Sequence, residues 1–111
     1  MFKLAVFIPE SHLESVKSAL FAAGAGQIGN YDYCSWQVLG AGQFRPLSGS
    51  DPFIGNQGQL QQVKEYRLET IVADSNLQAV IDALYSAHPY EEPAYDCWQL
   101  VDLAPTAKPT R

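Results

Sequence analysis

The sequence predicts an α+β fold, because segments with strand and helix periodicity follow one another in a defined order. Alternating apolar residues mark strands at 2–8 and 65–72, and helical spacing marks two amphipathic stretches between them and after them. Two further segments have strand composition, so the order is strand, helix, strand, strand, helix, strand. Two split βαβ units of this kind form a ferredoxin-like sandwich, with an antiparallel sheet and both helices on one face.

The first strand has the composition of a central strand. Its two faces carry Phe2, Leu4, Val6 and Ile8 on one side and Lys3, Ala5 and Phe7 on the other. Right-handed crossovers place this strand and the third one in the centre of the sheet, and leave the second and fourth at opposite edges. Unpaired edges are templates for pairing with another chain, so we expect a homo-oligomer.

The first helix is predicted over residues 11–23. Ser11 and Glu14 have the spacing of a capping box, and Gly24 is suited to end the helix. Apolar residues recur at helical spacing at Leu13, Val16 and Leu20. The glycines at 24, 26 and 29 satisfy G-x-G-x-x-G, but they follow a helix and precede a strand, the reverse of a dinucleotide site. They are therefore interpreted as a helix end and a loop.

The second strand is predicted over residues 31–39, where tyrosine, tryptophan and β-branched residues are concentrated. Glycines at 40 and 42 predict a bend or bulge before Phe44. Residues 45–58 then contain several prolines and glycines and few apolar anchors. Loops of this length usually carry function, an interface or mobility.

The third strand is predicted to be half-buried, with the polar side chains of Glu65, Arg67 and Glu69 directed to solvent. The functional alternative for this row is a set of salt bridges between subunits. Asp74 or Ser75 is expected to cap the second helix, which should end at His88 because a proline follows. The last strand is predicted over residues 95–103. Residues 1–103 then form one domain, and residues 104–111 form a short flexible tail with nothing to bury. The predicted core comprises Phe2, Leu4, Val6, Leu20, Leu68, Val80, Ile81 and Leu84.

Composition excludes several classes of partner. The formal net charge is −5, which disfavours nucleic acid and anionic membranes. The apolar stretch at residues 1–8 is too short for a signal peptide or a membrane span, so we expect a cytoplasmic protein. Cys34 and Cys97 fall on opposite sheet edges, and we expect reduced thiols.

The candidate site is the segment 88–96, which combines an imidazole, two carboxylates and two phenols between prolines. As a functional site it would bind a small polar ligand, or a divalent metal cation through His88 and Glu91 or Glu92. The same residues could instead be structural, with Pro89 ending a helix and His88 supporting its last turn. The candidate ligand or interface residues are His88, Tyr90, Glu91, Glu92, Tyr95, Glu65 and Arg67.

Several ordered blocks of residues resemble one protein family over nearly the whole chain. They are Gly24-Ala-Gly-Gln-Ile-Gly-Asn-Tyr31, Gly40-Ala-Gly-Gln-Phe44-Arg-Pro46, the Glu65, Arg67 and Glu69 row, and His88-Pro-Tyr-Glu-Glu-Pro-Ala-Tyr-Asp96. This pattern resembles the insert domain of the Nif-three-like family. That insert is in turn similar to the CutA divalent-cation-tolerance proteins, which have a ferredoxin-like fold and form trimers.

The resemblance implies a homotrimer and leaves two functional hypotheses. The first is a non-catalytic oligomeric regulatory or binding module with an unidentified small-molecule ligand. The alternative is a divalent-metal-binding protein of the CutA type, using His88 with Glu91 or Glu92. The dinuclear metal site of the family is built from flanking regions that this sequence lacks, so hydrolase activity is not implied. No nucleophile, base and oxyanion arrangement is visible in the sequence, and we expect no enzyme.

Overall fold

A computed structural model describes residues 1–106 of the chain. It contains an antiparallel sheet of four strands in the order β2-β3-β1-β4, together with two helices. The strands and helices are β1 (Phe2–Pro9), α1 (Leu13–Ala22), β2 (Ser35–Phe44), β3 (Gln61–Val72), α2 (Leu77–Ala87) and β4 (Tyr95–Gln99). The ferredoxin-like α+β fold and the central positions of the first and third strands are confirmed. Residues 107–111 of the expected tail lie outside the described residues.

The hydrophobic core lies between one face of the sheet and the two helices. Its fully buried side chains are Leu4, Val6, Ile8, Val16, Leu20, Leu68, Val80 and Leu84. Six of the eight predicted core residues are in this group, whereas Phe2 and Ile81 are only half-buried. In the described residues no helix has the length and apolar character needed to cross a membrane.

Both helix starts differ from their predicted caps. Single 3₁₀ turns, Glu10–His12 and Asp74–Asn76, precede α1 and α2, and neither helix has a side-chain cap. The hydroxyl of Ser11 contacts Nδ1 of His12 instead, and the carboxylate of Asp74 pairs with the amino terminus. The predicted capping roles of Ser11 and Asp74 are therefore wrong, because the 3₁₀ turns satisfy helix N–H groups through backbone carbonyls.

The second strand also differs from its prediction. It begins at Ser35 and continues through its glycines with unbroken pairing to β3, so the predicted bulge is wrong. A side chain at Gly42 would place its Cβ 1.9 Å from Oε1 of Glu65. This close approach, and not a bend in the strand, explains why position 42 is a glycine. The last strand ends at Gln99, before its predicted limit at residue 103.

The face of the sheet opposite the helices is exposed at the two edge strands. Pairing places Trp36 beside Glu69 on β3, and Trp98 beside Lys3 on β1. Both tryptophans are exposed, at 58% and 45% of their surface. They lie on the two edge strands, and we call this surface the open face. Cys34 directly precedes β2 and Cys97 lies on β4, so the two cysteines are at opposite edges of the sheet, as predicted.

Candidate functional site

His88 occupies the junction between α2 and the segment that leads to β4. Its backbone is extended because Pro89 follows, and its side chain is only 5% exposed. Nε2 donates to the carbonyl oxygen of Phe7 at 2.7 Å, and Nδ1 accepts from the backbone N–H of Tyr90 at 3.1 Å. These two partners require a neutral imidazole with its proton on Nε2. The ring therefore joins the 88–94 segment to β1.

Burial lowers the pKa of His88 below its ordinary value of 6.5, and this effect exceeds the opposing influences of the Phe7 carbonyl and the Glu65 carboxylate. Protonation would also turn Nδ1 into a donor facing the N–H of Tyr90. The folded protein thus resists protonation at this residue.

We expect the free energy of unfolding to fall as the pH drops below 6.5, because the unfolded chain takes up a proton at His88 before the folded chain does. The loss should continue until the pH reaches the lowered pKa of the folded state. Urea titrations between pH 8 and 5 measure this slope. His88→Gln should remove it, whereas His12→Gln should retain it. An unchanged slope in His88→Gln would show that His88 does not cause the pH dependence.

The buried Glu65 and the half-buried Tyr90 form a hydrogen-bonded pair beside this junction. Glu65 is only 8% exposed, and its Oε2 accepts a hydrogen bond of 2.8 Å from the Tyr90 hydroxyl. Burial, followed by this hydrogen bond, raises the pKa of Tyr90. The prediction that the whole polar row of β3 is directed to solvent is therefore wrong at Glu65, because the 88–94 segment covers it.

The remaining charged residues of the row form a separate group. Nε of Arg67 donates to Glu69 at 3.0 Å, and its guanidinium lies 5.5 Å from the centroid of the Phe7 ring. Lys3 approaches the same Glu69 carboxylate at 3.9 Å. Such exposed or half-exposed pairs contribute about 1 kcal/mol or less. Tyr95 also lies apart from Glu65 and packs edge-on against Tyr85, with ring centroids 5.9 Å apart.

A cavity of about 410 Å³, which we call the loop pocket, lies between residues 45–54 and the segment after α2. Its aromatic wall contains Phe44 and Tyr90, whose ring centroids are 5.8 Å apart, and Phe53, which lies 6.5 Å from Tyr90. The charged side chains at its surface are those of Arg45, Glu65, Glu91 and Glu92. The structure thus brings Glu65, Tyr90, Glu91 and Glu92 together, with His88 behind Tyr90.

The loop that covers the pocket is held by two hydrogen bonds, one at its middle and one at its base. The backbone N–H of Asp51 donates to Oε1 of Glu91 at 3.1 Å, which joins the loop to the 88–94 segment. The N–H of Gly58 donates to the carbonyl of the buried Pro46 at 2.7 Å, which closes the base of the loop. These contacts hold the aromatic wall in place over the edge of the sheet.

Sequence reasoning missed the residues that the loop contributes to the pocket. Arg45, Phe53 and Ile54 of the loop line the pocket together with Phe44 at the end of β2, and none of them is among the candidate residues. The available signal was the length of the proline- and glycine-rich segment 45–58, which predicts a functional loop without identifying its residues.

The geometry around His88 does not fit a metal site. Both ring nitrogens are occupied by backbone groups, so a metal would have to displace one of them. Within residues 1–106, no group of three histidine, cysteine or carboxylate side chains is arranged to hold a cation. The metal hypothesis for His88 and Glu91 stays a prediction that requires rearrangement of this segment.

Comparison with known proteins confirms the resemblance seen in the sequence. The chain is 47% identical over 106 residues to the GTP cyclohydrolase 1 type 2 homolog of Halalkalibacterium halodurans, and 48% identical to that of Bacillus subtilis. These alignments cover 96% of this chain but only 28% of each relative. The chain thus corresponds to little more than a quarter of the relatives' length. No family model matches the chain.

Solved structures support the same relationship. The crystal structure of a Bacillus cereus protein related to NIF3 superposes with a TM-score of 0.77 at 46% identity, over 91% of this chain and 26% of that one. CutA from Xylella fastidiosa superposes with a TM-score of 0.65 at 20% identity, covering 92% of this chain and 86% of CutA. The CutA likeness establishes a shared fold.

Proposed function

We propose that this chain, homologous to one segment of NIF3-related proteins, is a non-catalytic oligomeric binding module with the loop pocket as its ligand site. One observation carries the proposal, namely an open cavity with an aromatic wall and a buried carboxylate. Cavities of this size that combine apolar walls with a few polar groups are typical of small-molecule sites.

The hydrogen bonding of the hydroxyl and imidazole groups in and beside the pocket supports binding over catalysis. The Tyr90 hydroxyl is engaged by Glu65, both nitrogens of His88 are engaged by the backbone, and the Ser50 hydroxyl donates to the carbonyl of Leu47. A general base or nucleophile needs a reactive atom that is free to reach substrate. These groups hold the pocket in shape instead.

The edge strands and the open face support assembly. β2 and β4 leave one side unpaired, and each carries an exposed tryptophan on the open face. The charged row of Lys3, Arg67 and Glu69 lies on the same face and contains both signs. Exposed aromatic residues and unpaired strands are features of protein interfaces. We propose copies of this chain as the partner and a trimer as the assembly.

The comparisons relate this chain to one segment of longer proteins. Their name refers to GTP cyclohydrolase, but this chain covers only 28% of the two relatives compared above. The proposal assigns to the chain a binding role and leaves any activity of the longer proteins to their remaining parts. A regulatory role would follow if ligand occupancy of the loop pocket changed the assembly.

The alternative proposal is divalent-metal binding through His88 and Glu91 or Glu92. It predicts that the purified protein carries a metal ion and not an organic molecule. It needs neutral imidazole, so metal affinity would decline as the pH falls through the pKa of His88. Mass measurement separates it from the first proposal, because a metal ion and an organic ligand add different masses.

Native mass spectrometry of the purified chain tests both parts of the proposal. We expect three copies of the 12.2 kDa chain with a retained small organic molecule. Trp98→Lys should shift the population toward monomer, because it places a charge on the open face. Tyr85→Lys is the matched control, since Tyr85 is an aromatic residue of similar exposure on α2. A folded monomer without ligand would overturn the proposal, and a retained metal ion would favour the alternative.

A further inference from the structure

We infer that the loop pocket takes a planar ligand that presents a positively charged edge with two N–H donors, as an amidinium group does, to the carboxylate of Glu65. The inference depends on the proposed function, because it specifies the chemical class of the ligand for the same pocket.

The hydrogen bonding of Glu65 is incomplete. Oε2 accepts from Tyr90, but within residues 1–106 no donor contacts Oε1. No polar side-chain atom in this part of the chain is both sealed from solvent and unpaired, so Oε1 is accessible to solvent, and Glu65 lines the loop pocket. A carboxylate in a residue that is 8% exposed gains strongly from a cationic donor.

Within residues 1–106 no cationic side chain pairs with Glu65, although Arg45 lines the same pocket. Arg67, two residues along the same strand, directs Nε to Glu69 and lies over the Phe7 ring. No ion pair involving Glu65 is present in the described residues. The Tyr90 hydroxyl is a neutral donor, so the negative charge of Glu65 remains available to a cationic ligand.

The absence of a side chain at Gly42 makes room for the carboxylate of Glu65. The carboxylate borders both the loop pocket and a second cavity of about 400 Å³ on the side of Gly42. An added Cβ at Gly42 would lie 1.9 Å from Oε1 and would displace it. At Gly40, two residues earlier on the same strand, the nearest contact for an added Cβ is 3.9 Å away. The two glycines therefore differ in their effect on the carboxylate.

The rest of the loop pocket favours the same ligand class. Three carboxylates and one arginine line it, which gives an excess of negative charge that disfavours anions. The rings of Phe44, Phe53 and Tyr90 offer faces that attract planar groups and cations. A flat amidinium combines both properties, and its two parallel N–H groups match the two oxygens of a carboxylate.

Calorimetric titration with benzamidine tests this inference, with benzoate and benzyl alcohol as the anionic and neutral probes. We expect the wild-type chain to bind benzamidine at least about tenfold more tightly than it binds benzoate or benzyl alcohol. Glu65→Gln and Gly42→Ala should each weaken benzamidine binding about tenfold, the first by removing charge and the second by displacing the carboxylate. Glu69→Gln and Gly40→Ala are the matched controls and should bind as the wild type does.

Circular dichroism establishes that each variant is folded before it is titrated. Equal binding of the three probes, or benzamidine binding unaffected by both Glu65→Gln and Gly42→Ala, would overturn the ligand class. Absence of benzamidine binding by the folded wild type would do so as well. In each case, an organic molecule retained in native mass spectra would still support the proposed binding module. Failure of the ligand class can therefore be distinguished from failure of the proposed function.

Discussion

Leu84→Ala is expected to lower the free energy of unfolding by about 2–5 kcal/mol, because it leaves a cavity in a close-packed interior. Leu84 is completely buried on α2 and belongs to the same core cluster as Val6 of β1 and Leu20 of α1. Its side chain therefore joins the helical layer to the sheet. The expected loss is a large part of the stability of a domain of this size.

Urea unfolding at a fixed protein concentration measures the effect, since assembly couples stability to concentration. Leu60→Ala is the matched control, because Leu60 is 60% exposed, and we expect a change of about 0.5 kcal/mol or less. If Leu84→Ala had the same urea midpoint of unfolding as the wild type, the described packing of α2 on the sheet would be incorrect.

Gly26→Ala is expected to lower the free energy of unfolding by about 2–4 kcal/mol, from left-handed backbone strain and overpacking together. Gly26 has a φ of +82°, and an added Cβ would lie 2.9 Å from the backbone nitrogen of Cys34. Its N–H donates to the carbonyl of Ile71 at 2.7 Å, which fixes this turn against β3. The clash is with backbone, so it cannot be relieved by a side-chain rotation.

Gly29→Ala separates the two contributions. Gly29 also has a positive φ, of +55°, but an added Cβ meets nothing within 4 Å. We therefore expect only the conformational cost of about 1–2 kcal/mol in thermal or urea unfolding. Equal losses at the two positions would contradict the close approach of residues 26 and 34.

The order of elements and the core could be predicted from the sequence because they depend on local periodicity. The helical spacing of Val80 and Leu84 predicts that both are buried, as they are. The alternation of apolar residues at positions 2–8 predicts a strand. The helix caps could not be predicted in this way. Ser11 and Glu14 have the right spacing, but a 3₁₀ turn at that point provides backbone partners in their place.

The glycines of β2 show why the site was harder to predict than the fold. Glycine in a strand indicates either a bulge or a close approach, and sequence alone does not distinguish them. Gly42 is there because the side chain of Glu65, more than twenty residues later, lies over it. That contact depends on strand pairing and on the cover provided by Tyr90, neither of which is a local property.

The 88–96 segment was identified from its density of polar groups, and four of the candidate residues do meet at or beside the loop pocket. Their roles came from the tertiary structure. His88 lies behind the pocket and binds backbone, Tyr95 packs against α2, and Tyr90 reaches Glu65. Phe53, the one aromatic residue of the 45–58 loop, completes the aromatic wall without any sequence motif.

A crystal structure of the chain grown with benzamidine tests the central claim, that the loop pocket is a ligand site built around Glu65, most directly. The account predicts the ring beside Phe44 and Tyr90, with amidinium nitrogens about 2.7–3.2 Å from the Glu65 carboxylate oxygens. Benzamidine bound elsewhere, with only water in the loop pocket, would contradict it.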